Sequence, residues 1–158
     1  MIKSTYFDNF SGSGWPDPSE LQPYFLAPKG KEWSYRGGND HWGLDVQGLY
    51  GTDGLPSADR VNVHLHLIGN PEYGVLLSYD KWDGRIRRKD GYNSKGNLRR
   101  IGEYIRSSHG TKLPIGLFIP FAAAWTGVKE FLETDGELPK SIEWVATRDL
   151  PPGAFPVP

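Results

Sequence analysis

Residues 119–144, IPFAAAWTGVKEFLETDGELPKSIEW, restrict the fold more than any other stretch of this chain. Phe121, Trp125, Val128 and Leu132 recur at spacings of four, three and four, with Ala124 and Phe131 beside them. On a helix that spacing makes one apolar stripe, which has to be buried. Lys129, Glu130 and Glu133 fall elsewhere, on a face that water can take. Pro120 suits the first helical position, where its φ is already helical and its missing N–H would have no partner. Gly136 is placed to end the helix in a left-handed conformation, and Pro139 prevents its continuation. Residues 141–146 then alternate, Ile142 and Trp144 to one side and Glu143 and Val145 to the other, which predicts a strand. The stretch holds no nucleophile–base pair and no metal-ligand spacing, so it reads as scaffold.

The clearest strand is residues 60–68. Val61, Val63, Leu65 and Leu67 point one way, and Asn62, His64 and His66 the other. Residues 69–74, GNPEYG, read as a connection. Residues 75–80 follow as a second strand, with Val75, Leu77 and Tyr79 on one face. The two predict an antiparallel hairpin whose apolar face meets the core.

Elsewhere the pattern is weaker. Residues 11–18 are rich in turn formers, and residues 19–25 predict a single helical turn. Residues 29–54 interleave glycines with Trp33, Tyr35, Trp42 and Tyr50, which favours short strands over disorder, because disordered segments are poor in aromatics. Residues 84–96 read as a long exposed loop or loose hairpin. Leu98, Ile101, Tyr104 and Ile105 mark a short amphipathic helix, residues 112–118 a short strand, and the tail after Leu150 is extended and Pro-rich. At 158 residues, the expectation is a single α+β domain: an antiparallel sheet with few helices and long loops. Within it residues 1–60 form a Gly- and Trp-rich region, residues 61–146 the core, and residues 147–158 a Pro-rich tail.

Composition removes several classes of function. There is no cysteine, which excludes disulfides, thiolate zinc sites and a catalytic thiol. The longest apolar patch, residues 113–125, contains two prolines and is too short to span a bilayer. No N-terminal segment resembles a signal peptide, so a cytoplasmic location is expected. Neither dinucleotide-binding nor phosphate-loop glycine spacing occurs, and no cofactor is expected. Net charge is −1, but residues 61–110 hold nine basic and five acidic side chains, a local excess of +4. Bulk attraction to nucleic acid is weak on these numbers.

Three groups of residues invite chemistry. His64 and His66 share a strand face, a pairing that holds transition metals when a third ligand such as His41, His109 or a carboxylate joins it. Nothing in the sequence places that ligand, and neither a metal site nor catalytic residues are assigned. Asp40, His41, Trp42 and Asp45 sit together in the Gly-rich region, without a nucleophile motif beside them. Arg85, Arg87, Arg88, Lys89, Lys95, Arg99 and Arg100 form a basic run with Trp82 and Tyr92 nearby. Arginines and aromatics are common anchors of protein interfaces; a solvated loop face is the plain alternative.

The residues of the opening stretch also carry a family resemblance. Residues 76–79 and Trp82 in the second strand, Pro120 and Ala124 at the helix start, Val128 and Glu130-Phe131-Leu132 within it, Thr134 and Gly136 at its end, and Leu138-Pro139, Ile142 and Trp144 beyond it form one pattern. That pattern, over roughly residues 61–146, resembles the first-numbered immunity-protein family of bacterial polymorphic toxin systems. The first sixty residues and the tail lie outside the resemblance. Membership would imply a non-enzymatic inhibitor that binds a cognate toxin domain and blocks its active site or substrate path. It would also imply a toxin that is often nucleic-acid-directed, a deaminase or nuclease. The expected partner is that toxin, with no direct nucleic-acid or membrane contact. The residues expected to touch it are Trp82, Arg85, Arg87, Arg88 and Tyr92, then Asp40 and Trp42. Two rival readings remain at this level, a small metal- or His-dependent hydrolase using His41, His64 or His66, and a nucleic-acid-binding module.

Overall fold

The computed structural model describes residues 1–6, 11–26, 41–107 and 110–156. Its centre is an antiparallel run of long strands: β3 (His41–Gln47), β4 (Val61–Asn70), β5 (Gly74–Asp83) and β6 (Arg88–Ser94). β1 (Ile2–Tyr6) and β2 (Ser11–Ser13) extend the sheet on one side, and β9 (Trp144–Ala146) on the other. The strand order is β2-β1-β3-β4-β5-β6-β9. Two further short strands, β7 (Tyr104–Arg106) and β8 (Lys112–Pro114), pair separately.

α1 (Pro18–Leu26) and α2 (Phe121–Glu133) lie over one face of the sheet. The alternation in β4 puts Val61, Val63, Leu65 and Leu67 under them, with Trp42, Leu44 and Val46 from β3 and Val75, Leu77 and Tyr79 from β5. The helical stripe answers with Ala124, Trp125, Val128, Phe131 and Leu132. Each large aliphatic or aromatic side chain buried in this way contributes about 1.5–3 kcal/mol, and packing of this kind, more than intrinsic propensity, is what holds a 13-residue helix. A smaller cluster covers one end of the other face, where Ile68 and Leu76 meet Leu113, Leu117 and Phe118. The rest of that face has no covering element among the described residues.

The α+β expectation agrees with this architecture, and the differences are local. Pro120 precedes the helix, with ψ at 149°, and does not begin it. Ile119 exchanges both backbone hydrogen bonds with Val75 at 2.9 Å, which holds the chain extended until Phe121. Of the two readings of residues 84–96, a long loop or a loose hairpin, the structure has the hairpin, and a tight one: only residues 84–87 form the turn, because β6 is a regular strand paired to β5 and in part to β9. Its polar inner residues conceal it: the buried Ser94 hydroxyl donates to the Leu117 carbonyl at 2.7 Å and accepts from the Leu77 N–H at 3.0 Å. The expected helix near residues 98–105 is a 3-10 turn (Leu98–Arg100) followed by β7. Backbone contact between Gly96 and Gly116, whose N–H and C=O bond at 3.0 Å, brings this segment against its neighbour as extended chain. The strand expected from residue 141 begins only at Trp144, the one at residues 112–118 ends at Pro114, and the single helical turn at residues 19–25 is the nine-residue α1. Of the Gly-rich region, residues 27–40 lie outside the described residues; β3 and a 3-10 turn at Leu49–Gly51 account for much of the remainder.

Candidate partner-binding surface

The end of the sheet where β5 turns into β6 collects most of the residues expected to meet a partner. Gly84 is wedged against the Ser57–Asp59 turn, where a Cβ would meet Asp59 backbone carbon at 2.4 Å, and its N–H donates to the Arg60 carbonyl at 2.9 Å. This close approach fixes the hairpin tip. Trp82 is half-buried and donates its indole N–H to the Ala58 carbonyl at 2.9 Å. Arg87 takes a left-handed φ of 53° and bonds Asp59 at 3.1 Å. At the apex Ile86 is 65% exposed.

The arginines are held by carboxylates of their own chain. Asp83 accepts from Arg85 Nε at 3.0 Å and from its terminal nitrogen at 2.9 Å, a two-point pairing that orients the guanidinium plane. The same bonds hold the Asp83 carboxyl below its ordinary pKa. Arg88 pairs with Asp90 at 3.1 Å. Asp83 and Asp90, neighbours in sequence, pair with Arg85 and Arg88, and folding adds Asp59 against Arg87, so these three arginines are charge-compensated. These exposed pairs contribute little stability; their effect is to aim the side chains.

Tyr50 belongs to this surface although nothing in the sequence singled it out beyond its place among glycines. It is 51% exposed and sits in the left-handed region, φ 57°. Its hydroxyl donates to Glu137 at 2.5 Å, and Arg85 lies 4.9 Å and Lys81 5.5 Å from the ring centre. The hydrogen bond to Glu137, helped by partial burial, pushes the phenol up to about 12. Strained backbone in a non-glycine residue tends to accumulate at functional surfaces. The flanking Gly48 and Gly51, both with positive φ, are the available sequence signal. For Ile86 the signal is a lone aliphatic residue inside a basic turn.

The remaining expected contacts are not brought to this surface. Trp42 is 1% exposed, with its ring edge-on to Tyr24 at 5.1 Å, so its place at an interface is corrected to the core. The reason is register: Trp42 shares the inward face of β3 with Leu44 and Val46. Tyr92 is half-buried, packed against that core with its ring 6.4 Å from Tyr79. Asp40 lies outside the described residues.

The histidines lie on the sheet face that no helix covers among the described residues. His41, Asp45, His64 and His66 occupy adjoining positions on β3 and β4. The Nδ1 of His64 pairs with the Asp45 carboxylate, and Nδ1 of His41 approaches Nε2 of His66 at 3.0 Å. Gly43 leaves room for the His64 ring, whose Cε1 lies 3.1 Å from where a Cβ would be. The Asp45 hydrogen bond raises the His64 pKa against the opposing effect of burial, with the charges of Asp45 and Asp80 adding to the rise. Beside this pair is a shallow groove of about 180 Å³, lined by Asp45, Asn62, His64, Asp80, Trp82 and Lys89 among others. The histidines thus converge, the arrangement that a hydrolase reading asks for. The hydroxyl of Ser78, across from His66, donates to Asn93 at 2.8 Å. Among the described residues, no three His, Cys, Asp or Glu side chains are disposed to surround a metal ion, and no helix is long and apolar enough to cross a membrane.

The family model for immunity protein Imm1 matches residues 5–146. The match runs from the end of β1 through β9, including most of the Gly-rich region that the sequence resemblance had left out. No curated protein and no solved structure matches the chain. With the matched span covering nearly all of the sheet, both helices and the hairpin surface, this chain belongs to the Imm1 immunity-protein family.

Proposed function

We propose that this protein neutralises a cognate toxin domain by stoichiometric binding in the cytoplasm, without catalysis, and that the β5–β6 hairpin end is the surface it uses. The observation that carries the reading is the family match over residues 5–146. Trp82, Arg85, Ile86, Arg87 and Arg88, with Tyr50 beside them, supply the mixture of aromatic, aliphatic and oriented guanidinium groups that anchors protein interfaces. Because Arg85, Arg87 and Arg88 are already paired, they reach a partner with their geometry set and lose less freedom on binding. The same pairing argues against a nucleic-acid-binding module, which depends on uncompensated positive charge. The toxin is taken to act on nucleic acid, as a deaminase or nuclease; support for that part comes from the family resemblance.

Co-expression with the product of the neighbouring upstream gene tests this reading. Rescue of growth together with co-purification of an equimolar complex is the expected result. An adjacent gene that encodes no toxin, with nothing co-purifying, would overturn it.

A further inference from the structure

Only one end of β6 is paired along both of its edges. β5 runs beside it from Arg88 to Asn93, whereas β9 meets it at Tyr92, Asn93 and Ser94 alone. After Ala146 the chain leaves through a 3-10 turn (Thr147–Asp149), and Leu150 joins Ile68 and Leu76 in the small cluster at the far end of the sheet. The Thr147 hydroxyl still lies over Gly91, 2.9 Å from where a Cβ would be. Past Gly91, toward the hairpin tip, no strand flanks the outer edge of β6 among the described residues.

Backbone direction identifies what that edge offers. The Lys95 N–H donates to the Glu143 carbonyl at 3.1 Å, on the β9 side. In an antiparallel ladder, backbone groups two residues apart point the same way. Asn93, Gly91 and Lys89 therefore turn their N–H and C=O outward, while Tyr92, Asp90 and Arg88 turn theirs toward β5. Asn93 has Val145 of β9 across from it; Lys89 has no strand residue on that side among the described residues.

We propose that an extended segment of the cognate toxin pairs with the outer edge of β6 at Lys89, in line with β9, and sets an Asp or Glu side chain across from the Lys89 ammonium group.

This inference rests on the toxin-binding reading and adds main-chain contact to it. The edge continues the hairpin surface, since Lys89 follows Arg87 and Arg88 and lies across from Trp82 on the other side. A strand laid against an open edge gains affinity from main-chain hydrogen bonds, here one to the Lys89 carbonyl and one from its N–H. Charge selects the occupant. Arg85, Arg87 and Arg88 are held by carboxylates of their own chain, whereas Lys89 is exposed and forms no ion pair among the described residues. Two copies of this chain joined edge to edge would set Lys89 against Lys89, and like charges across a ladder repel. Lysine on an edge strand guards against such self-pairing. An acidic residue in the incoming segment turns the same charge into attraction.

The test uses the full chain and the toxin domain encoded by the neighbouring upstream gene. Lys89→Pro removes the outward N–H and leaves the bonds to β5 in place, the setting in which an edge strand accepts proline. Lys89→Ala removes the charge and keeps the N–H. Alanine should weaken binding by no more than about fivefold, and proline by about tenfold or more beyond that. Circular dichroism checks that both variants fold. In the ¹⁵N-labelled chain alone the Lys89 amide should exchange faster than that of Asp90, and the complex should slow it about tenfold or more. Equal affinities of the two variants overturn the edge pairing and leave the toxin-binding reading standing; absence of any complex removes both. A Lys89 amide already protected in a self-associated free chain assigns the edge to a second copy and also overturns it. If Lys89→Pro fails to fold, the parent complex decides: slowed exchange at Lys89 supports the pairing, and unchanged exchange rejects it.

Discussion

The hydroxyl of Tyr79, in the middle of β5, donates to the carbonyl of Gly136 at 2.7 Å. Gly136 closes α2: its φ is 99° and its N–H donates to the Phe131 carbonyl at 2.9 Å. One phenol therefore ties the central sheet to the end of the helix that covers it. Burial pushes its pKa well above the ordinary tyrosine range, so it remains a donor at any pH the protein meets. Tyr79→Phe would leave the Gly136 carbonyl buried without this donor, at a cost of about 1–3 kcal/mol. Urea unfolding should show a lower midpoint with an unchanged slope, and toxin binding by the folded variant should be unaffected.

Gly74 begins β5 at φ 102°, and a Cβ there would meet the Ile119 carbonyl oxygen at 2.0 Å. That oxygen accepts the Val75 N–H, so it cannot move away without breaking the link between the strand and the approach to α2. Gly74→Ala combines an unfavourable φ with a backbone clash. A loss of about 3 kcal/mol or more is expected, which for a chain of this size lowers the melting temperature by roughly 6–12 °C.

The Asp45–His64 pair predicts a pH dependence of stability. Its hydrogen bond raises the His64 pKa above the ordinary 6.5. A raised pKa in the folded state means a contribution that is fully present below that ordinary value and lost as pH rises through the folded one. Asp45→Asn should therefore destabilise most at mildly acidic pH, with the difference from the parent shrinking as the pH becomes alkaline. Both side chains are more than a third exposed, so solvent screening keeps the effect under ~1 kcal/mol. Chemical unfolding of the two proteins across this range measures it; a difference that grows with pH contradicts the assignment.

Ile86 tests the binding surface without disturbing the fold. At 65% exposed it makes little contribution to the core. Ile86→Asp places a carboxylate among Arg85, Arg87 and Arg88 and removes the apolar apex. The melting temperature should hold, while affinity for the cognate toxin falls about tenfold or more. Unchanged affinity would remove the hairpin tip from the interface.

Much of the scaffold is legible in the residues because periodicity is a local property. The four-three-four spacing from Phe121 to Leu132 sets the buried face of α2, and the alternation in β4 separates Val61, Val63, Leu65 and Leu67 from His64 and His66. β6 escaped this logic because Asn93 and Ser94 are buried polar residues, satisfied by partners distant in sequence. A strand stabilised mainly by backbone pairing and polar bonds leaves no hydrophobic period to read.

The sequence by itself determined which side chains share a face of an element. Only the tertiary structure decided what those faces meet. Trp42 looked available in a Gly-rich stretch, yet the register of β3 turns it into the core. The arginines of the hairpin looked like a positive patch, yet folding brings Asp59 to Arg87, 28 positions away. His41 and His66 are 25 positions apart, and only strand pairing sets their nitrogens 3.0 Å apart. The reason is range: helical and strand periods act over a few residues, whereas burial, charge compensation and cross-strand side-chain bonds depend on chain segments that meet only once the sheet is assembled.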